Sequence, residues 1–200
     1  MKENYQLMLD KIIEKQSGTL PSLLLHSCCG PCSSYVLEYL TKHFDITVFF
    51  YNPNIYPEAE YIKRLDTQKQ LLERMPFENP VSLIEGEYDP ENYLAAVRGQ
   101  EEYREGGARC STCFTLRLDK TAELAKAKGF DYFATTLTVS PHKNAQIINT
   151  LGFELSEKHG IKWLPSNFKK REGYKRSIEL STQYGLYRQN YCGCSFAMNY

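Results

Sequence analysis

Short apolar segments alternate with amphipathic helical segments along this chain, and this alternation limits its fold more than any other feature. The runs 22–27 (SLLLHS) and 45–51 (DITVFFY) have the apolar, β-branched composition of buried strands. Strands are predicted at 22–27, 45–51, 81–84, 130–137 and 161–164. Helices are predicted at 4–14, 33–42, 58–74, 90–104, 112–128, from the TVSPHKN loop to about 151, and 173–184. Because buried strands joined by helices form βαβ units, the sequence predicts an α/β fold with a mainly parallel sheet and flanking helices.

The length and composition suit a single folded unit. The chain has 200 residues, of which 42% are hydrophobic, and its formal net charge is zero. A neutral chain gives no argument from overall charge for binding to nucleic acids or membranes, although a local charged patch still can. We expect one α/β domain over residues 1–200, with a cysteine-containing tail from about 185 to 200 that returns to the active site.

The N-terminal sequence predicts a cytoplasmic protein without a membrane partner. Residues 1–10 lack the apolar core of a secretory signal, and the run Leu23–Leu25 is too short to cross a bilayer. Disulfides are rare in the cytoplasm, so the seven cysteines are predicted to be thiols that serve another purpose.

The cysteines fall into three groups, and none lies outside a group. The groups are Cys28, Cys29 and Cys32; Cys110 and Cys113; and Cys192 and Cys194. Cysteines that act as small core hydrophobes would be scattered, so the grouping indicates metal binding. A structural zinc ion takes four ligands, and a cubane iron–sulfur cluster also takes four, which leaves three thiols for a second metal with an open position. Spacing alone leaves zinc, a redox-active thiol pair and iron–sulfur open, and it favours iron–sulfur.

Three loops that follow predicted strands are expected to share one rim of the sheet. They are CCGPC after the first strand, NPNIYP after the second and TVSPHK after the fourth. Ligands of open parallel sheets bind at the carboxyl ends of the strands, so these loops mark the expected site.

Four segments, in order, carry a resemblance to one protein family. They are HSCCGPCSS, FYNPNIYPEAEYIKR, GGARCSTCFTLRLDKTAELAKAKGFDYFATTLTVSPHK and LYRQNYCGCSF. Together they resemble the iron–sulfur epoxyqueuosine reductases of the QueH family over nearly the whole chain, and they contain all seven cysteines. One position departs from the family pattern, because Asn167 stands where an acidic residue is expected.

The resemblance implies a cytoplasmic oxidoreductase for the final step of queuosine biosynthesis. Such an enzyme reduces epoxyqueuosine, in the anticodon loop of a transfer RNA, to queuosine. The resemblance also implies a HUP-like (nucleotide-α-hydrolase-like) fold and a 4Fe–4S cluster beside a mononuclear iron, both held by the seven cysteines. No cobalamin is implied, and no ATP, because a Ser-Gly-Gly-x-Asp-Ser loop is missing after the first strand. Electrons are expected from an external donor such as a ferredoxin or a flavodoxin.

Further residues are assigned to catalysis or to substrate binding. Tyr191 and His26 are the candidate proton donors. Asn52, Asn54 and Lys143 lie on the expected rim and are predicted to contact the substrate. The last fifty residues hold eight Lys/Arg against four Asp/Glu, and their basic side chains are interleaved with aromatic ones. The residues predicted to hold RNA phosphates there are Lys169, Lys170, Arg171 and Arg188.

Two alternatives belong to other functional classes. An iron–sulfur tRNA thiolase of related fold would need an ATP-binding loop, which the sequence lacks. A zinc-stabilised RNA-binding module would not need so many thiols beyond one four-ligand site.

Overall fold

Five parallel strands form a single sheet in the order β3-β2-β1-β4-β5 in the computed structural model, which describes residues 3–197. The strands are β1 (Ser22–Ser27), β2 (Asp45–Phe50), β3 (Val81–Glu85), β4 (Tyr132–Thr135) and β5 (Lys162–Trp163). Strand β1 is central and pairs in parallel with both β2 and β4. The predicted α/β class with a parallel sheet is therefore confirmed.

Helices cover both faces of the sheet. They are α1 (Tyr5–Glu14), α2 (Gly30–Leu40), α3 (Glu58–Arg74), α4 (Pro90–Ala96), α5 (Ala108–Lys128), α6 (Ala145–His159) and α7 (Gly173–Gln183). On β1, Leu23 and Leu25 pack into the core shared with α1, α2, α3 and α7, whereas Leu24 packs into the core shared with α5 and α6. Successive side chains of a strand point to opposite faces, so this strand is apolar throughout.

Several helix boundaries differ from the predicted ones. Helix α6 does not end near residue 151 but continues to His159, where Gly160 adopts the left-handed conformation that ends helices. Gly152 does not end the helix because it is a packing site: a Cβ there would lie 2.2 Å from the ring of Trp163. Only glycine lets α6 approach β5 this closely.

The helices around the cysteines also differ from prediction. Helix α2 begins three residues before 33, because Pro31 fits the first helical turn. Helix α4 ends at Ala96 rather than at 104, and Gly99 follows with φ +79°. Helix α5 begins four residues before 112, so Cys110 and Cys113 both lie in its first two turns.

The region around β4 and the C-terminal tail complete the carboxyl edge of the sheet. Strand β4 is shorter than the predicted 130–137 and leads into a 3₁₀ turn at Thr136–Val139. The tail crosses the NPNIYP loop, where the Tyr56 N–H donates to the Gly193 carbonyl at 2.8 Å. Positions 198–200 of the predicted tail lie outside the described residues. Among residues 3–197, no helix combines the length and apolar character needed to cross a membrane.

Candidate metal centre

A cavity of about 360 Å³ opens at the carboxyl edge of the sheet, where the strand order reverses on either side of β1. Its walls come from the loops after β1, β2 and β4, from the first turns of α5, and from the tail. This is the rim that the three loop motifs predict, and the volume lies within the range of small-molecule sites.

The first cysteine group lies at the N-terminus of α2. The Sγ atoms of Cys28, Cys29 and Cys32 all lie within 4.8 Å of one another, and those of Cys28 and Cys29 are 3.8 Å apart. Hydrogen bonds from the Cys29 and Cys32 thiols lower the pKa of Cys28, whereas the hydrogen bonds of Cys32 with Cys28 and Cys29 raise the pKa of Cys32. A Cβ on Gly30 would lie 2.8 Å from the Thr67 carbonyl oxygen, so glycine is needed to seat this turn against α3.

The second group is at the start of α5. Cys110 accepts a hydrogen bond from the Gly106 N–H at 3.2 Å, and Cys113 is buried one turn further along. Burial raises the pKa of the Cys113 thiol, although the neighbouring Arg117 acts in the opposite direction. Arg109, Cys113 and Arg117 are spaced by four residues, so they lie on the same face of the helix and all three line the cavity.

The third group is carried by the tail. Cys192 and Cys194 line the cavity, and the Cys194 N–H donates to the Cys192 Sγ at 3.4 Å. The hydroxyl of the buried Tyr93 lies 3.0 Å from the Cys194 Sγ. Hydrogen bonds from Cys192 and then Tyr93 lower the pKa of Cys194 to about 6, so this thiol is readily ionised.

One buried arginine holds the tail in place. Arg64 of α3 is 2% exposed, and its Nη1 and Nη2 donate to the carbonyl oxygens of Cys192 (3.1 Å) and Tyr191 (3.3 Å). Its Nε donates to Glu60 at 2.7 Å, and Glu60 also accepts from the Tyr187 hydroxyl. The tail therefore depends on a side chain of α3, since the one 3₁₀ turn at Ser195–Ala197 is its only regular secondary structure between residues 185 and 197.

A second buried arginine joins three elements beneath the cavity. Arg117 donates from Nη2 to Asn52 Oδ1 at 2.6 Å, from Nε to His26 Nε2 at 3.3 Å, and from Nη1 to Cys113 Sγ at 3.9 Å. The Asn52 amide in turn donates to the Ser27 carbonyl oxygen at 2.9 Å. The network ties α5 to the ends of β1 and β2.

Three buried polar atoms at the cavity have no hydrogen-bond partner within residues 3–197. They are Asn54 Oδ1, Arg109 Nε and Gln189 Oε1. Buried polar atoms are normally paired, so these three atoms mark residues of the cavity wall whose hydrogen bonding the described side chains leave incomplete.

The structure brings most of the predicted site residues together. Those that line the cavity are Cys28, Cys32, Asn52, Asn54, Cys110, Cys113, Lys143, Arg188, Tyr191, Cys192 and Cys194. Cys29 is buried beside Cys28 and Cys32. The half-buried Lys143 is close to three thiols: burial lowers its pKa, but Cys28, Cys192 and Cys32 raise it, and the net effect is an increase.

The two predicted proton donors occupy very different places. The Tyr191 hydroxyl donates to the Tyr56 carbonyl oxygen at 3.0 Å, at the exposed edge of the cavity. His26 is fully buried outside the cavity lining, and burial followed by the charge of Arg117 lowers its pKa to about 3. A neutral imidazole in this position acts as a hydrogen-bond partner for Arg117.

The predicted RNA-binding lysines and arginines are dispersed. Lys169 donates from Nζ to the Lys143 carbonyl oxygen, and Arg171 pairs with Asp10 at 2.6 Å. Lys170 is exposed, and none of these three basic residues lines the cavity.

Sequence reasoning missed Arg64, Tyr93, Arg109, Arg117 and Gln189. Two of them carried a usable signal, because Arg109 and Arg117 are each four residues from Cys113 and must share its helix face. The contacts of Arg64, Tyr93 and Gln189 join residues that are far apart in sequence, and no local pattern indicates them.

The donor set fits an iron–sulfur centre. All seven cysteines lie within the described residues as free thiols, and they line or border one cavity. Thiolates are the preferred ligands of iron–sulfur clusters and of zinc, and seven of them exceed a single tetrahedral site.

Comparison with known proteins gives consistent matches in sequence. The sequence profile described as "Epoxyqueuosine reductase QueH" matches residues 23–200. Epoxyqueuosine reductase QueH of Streptococcus pyogenes serotype M1 is 49% identical over 201 residues, which cover 98% of this chain and 78% of the relative. The protein of the same name from Thermotoga maritima is 37% identical over 183 residues, which cover 88% of this chain and 90% of the relative.

Comparison of folds gives a more distant match. The solved structure of the U34-tRNA thiolase NcsA from Methanococcus maripaludis with its 4Fe–4S cluster aligns with a TM-score of 0.58 at 14% sequence identity. The alignment covers 96% of this chain and 67% of the thiolase chain. It supports the HUP-like fold predicted from the sequence.

Proposed function

The chain belongs to the epoxyqueuosine reductase QueH family and is an epoxyqueuosine reductase. We propose that its seven cysteines hold a 4Fe–4S cluster and a mononuclear iron at the cavity. The convergence of seven free thiols on one cavity carries the proposal. The enzyme is an oxidoreductase whose substrate is a transfer RNA that contains epoxyqueuosine.

The reaction defines what the site must provide. Conversion of an epoxide to an alkene takes up two electrons and two protons and releases one water molecule. When bound, an iron–sulfur cluster supplies electrons one at a time, and a neighbouring iron ion supplies a Lewis acid for the epoxide oxygen. An external low-potential donor, a ferredoxin or a flavodoxin, provides the electrons, and neither cobalamin nor ATP takes part.

The residues that hold the substrate are those whose polar atoms lack a partner. We assign the side chains of Asn54, Arg109 and Gln189 to hydrogen-bond the modified nucleoside, because all three residues line the cavity. A nucleoside that enters the cavity also displaces water from it, which strengthens each of these bonds.

The protons require a group that can reach the cavity. Tyr191 remains the proposed donor because it lines the cavity near solvent, from which it can be reprotonated. For His26 we propose a positioning role instead, since its two ring nitrogens contact Thr135 and Arg117 and its pKa of about 3 keeps it neutral.

The RNA backbone is proposed to lie across the mouth of the cavity. The exposed Arg188 stands 5.8 Å from the centre of the Tyr174 ring, and both line the cavity. Arg188 and Lys143 would pair with phosphates, and Tyr174 offers a face on which a loop base can stack. Lys169, Lys170 and Arg171 would contact more distant phosphates.

One experiment tests the proposed cofactor and the activity together. Protein purified without oxygen should contain about four to five iron atoms per chain and acid-labile sulfide. With a chemical reductant, and without ATP or cobalamin, it should convert epoxyqueuosine in tRNA to queuosine, as measured by nucleoside mass spectrometry. One zinc per chain without labile sulfide would overturn the proposed centre.

A charge reversal tests the RNA surface. Arg188→Glu should weaken tRNA binding and reduce the slope of log K against log salt by about one. Arg171→Glu is the matched control, because Arg171 is already paired with Asp10 and should contribute less. Unchanged tRNA binding by Arg188→Glu would remove the cavity mouth from the binding surface.

A further inference from the structure

The buried Arg117 carries a positive charge that no carboxylate balances. Its side chain is 3% exposed, and its hydrogen bonds go to an imidazole, an amide and a thiol, all of which are formally neutral. Within residues 3–197, no ion pair includes Arg117. Burial of an ion without a counter-charge is costly, so a partner of negative charge is required.

Arg64, which holds the tail, is a buried arginine whose charge is balanced. It is as deeply buried as Arg117 and lines the same cavity, yet it forms an ion pair with Glu60 at 2.7 Å. Like Arg117, Arg109, which is 1% exposed and lines the cavity, forms no ion pair in the described part of the chain. Two unbalanced buried charges therefore border the cavity, and an anion bound there would balance them.

The neighbours of Arg117 identify the kind of anion. Its Nη1 is 3.9 Å from Cys113 Sγ, and its charge also acts on Cys28 of the first cysteine group. Lys143 lines the same cavity as Cys28, Cys32 and Cys192. A buried cation in contact with a thiol matches the net negative charge of a thiolate-ligated iron–sulfur centre.

The surrounding residues fix the position of the guanidinium. His26 Nε2 lies 3.3 Å from Arg117 Nε and 3.1 Å from the Tyr51 carbonyl oxygen, and His26 Nδ1 lies 2.8 Å from Thr135 Oγ1, so the ring is held on both sides. Asn52 accepts from Arg117 and is itself held by the Ser27 carbonyl oxygen. Each partner is anchored to the sheet, so the charge cannot move away from Cys113.

We propose that Arg117 is a positioning residue of the metal centre: it orients Cys113 and supplies the buried positive charge that favours the reduced state of the cluster. This inference rests on the proposed iron–sulfur centre. The negative charge of a cluster grows when it takes up an electron, and a fixed cation nearby raises its reduction potential. Without that cation, the centre would accept electrons from its donor less readily.

The test uses the reduction potential of the reconstituted protein, measured by a redox titration followed by electron paramagnetic resonance. Arg117→Met should shift the midpoint potential to more negative values, whereas Arg117→Lys, which keeps the charge, should stay near the wild type. Lys120→Met is the control, because it removes a positive charge from the same helix at a half-exposed position paired with Glu123. This control should leave the potential unchanged.

The outcomes separate the possible roles of Arg117. A purely structural role would lower the melting temperature of the metal-free Arg117→Met protein without moving the potential, and that result would overturn the inference. Arg117→Met could also fail to take up iron. In that case Arg117→Lys, which keeps the charge, should bind iron and sulfide, and Arg117→Gln, which removes the charge, should not. Any other result for these two variants would overturn the inference. A wild-type protein that itself forms no cluster would instead refute the proposed function.

Discussion

Among the described residues, unpaired buried polar atoms are more frequent at the carboxyl edge of the central sheet than at the amino edge, where Gln16 Nε2 is one. At the amino edge, Asp131 accepts hydrogen bonds from the N–H and the hydroxyl of Ser22, both at 2.8 Å. At the carboxyl edge, Asn54, Arg109 and Gln189 each bury a polar atom that no described residue pairs. Because unpaired buried polar atoms cost free energy, a protein retains them where a ligand will pair them. The carboxyl edge therefore holds more of these atoms than the amino edge, and it is the edge that carries the cavity with the cysteines.

The largest effect is expected at the carboxyl edge. Cys32→Ala removes one of three converging thiols, so reductase activity should fall more than about 100-fold through loss of metal. The unfolding temperature of the metal-free protein should change little, since Cys32 is only half-buried. Nucleoside mass spectrometry and circular dichroism measure the two quantities. Full activity with a normal iron content would contradict the role of this group.

The next largest effect should come from release of the tail. Arg64→Met breaks a buried ion pair and two bonds to tail carbonyls, so the free energy of unfolding should fall by about 3 kcal/mol. Trypsin should then cleave faster after Arg188, which mass spectrometry detects.

Arg74→Met is the matched control for this change. Arg74 lies on the same helix and also donates to a carbonyl of the C-terminal region, that of Tyr184 at 3.0 Å, but it is exposed. The control should cost less than about 1 kcal/mol. Equal losses in the two variants would show that Arg64 is not the main anchor of the tail.

Two glycine-to-alanine substitutions should have a smaller effect on the free energy of unfolding, and they separate the cost of close packing from the cost of backbone strain. Gly193→Ala should cost about 2 kcal/mol, because φ is +97° and the new Cβ would lie 2.9 Å from both Arg64 and Ile55. Gly99→Ala has a similar φ of +79° but nothing within 4 Å, so it should cost about 1 kcal/mol. Chemical denaturation measures both, and a larger loss for Gly99→Ala would argue against tight docking of the tail.

The smallest effect belongs to the amino edge. The bonds from the Ser22 N–H and hydroxyl lower the pKa of Asp131, so its carboxylate stabilises the folded state above the unfolded pKa of about 4. That contribution is lost as the pH falls through the lowered folded value. Asp131→Asn should therefore cost less than about 1 kcal/mol at pH 7, with a difference that shrinks in acid. Reductase activity should stay unchanged, and a loss of activity would weaken the contrast between the edges.

Much of the fold was predictable because its signals are local. The run DITVFFY is apolar enough to identify β2, and the position of loops after parallel strands identifies the rim. Helix ends were less predictable, as α6 shows: its Gly152 serves contact with Trp163 rather than helix termination. A contact of that kind depends on the packing of distant elements.

The cysteines of the site were predictable for a similar reason, since their grouping is visible in the sequence. The environment around them was not, because the bonds of Arg64 to the tail and of Arg117 to His26 span 127 and 91 residues. The basic segment shows the opposite error: charge that looked available for RNA is partly used by the protein, as in the pair of Arg171 with Asp10.

The separation of the three cysteine groups along the chain has a consequence for biosynthesis. A ribosome releases the first and second groups well before the tail, and α2 and α5 can fold as soon as the strands beside them emerge. The five thiols of the first two groups are then exposed on a nascent chain that does not yet contain Cys192 and Cys194. If the seven thiols hold the proposed centre, the complete ligand set exists only after the tail has docked, and until then the five early thiols are open to oxidants and to free metal ions.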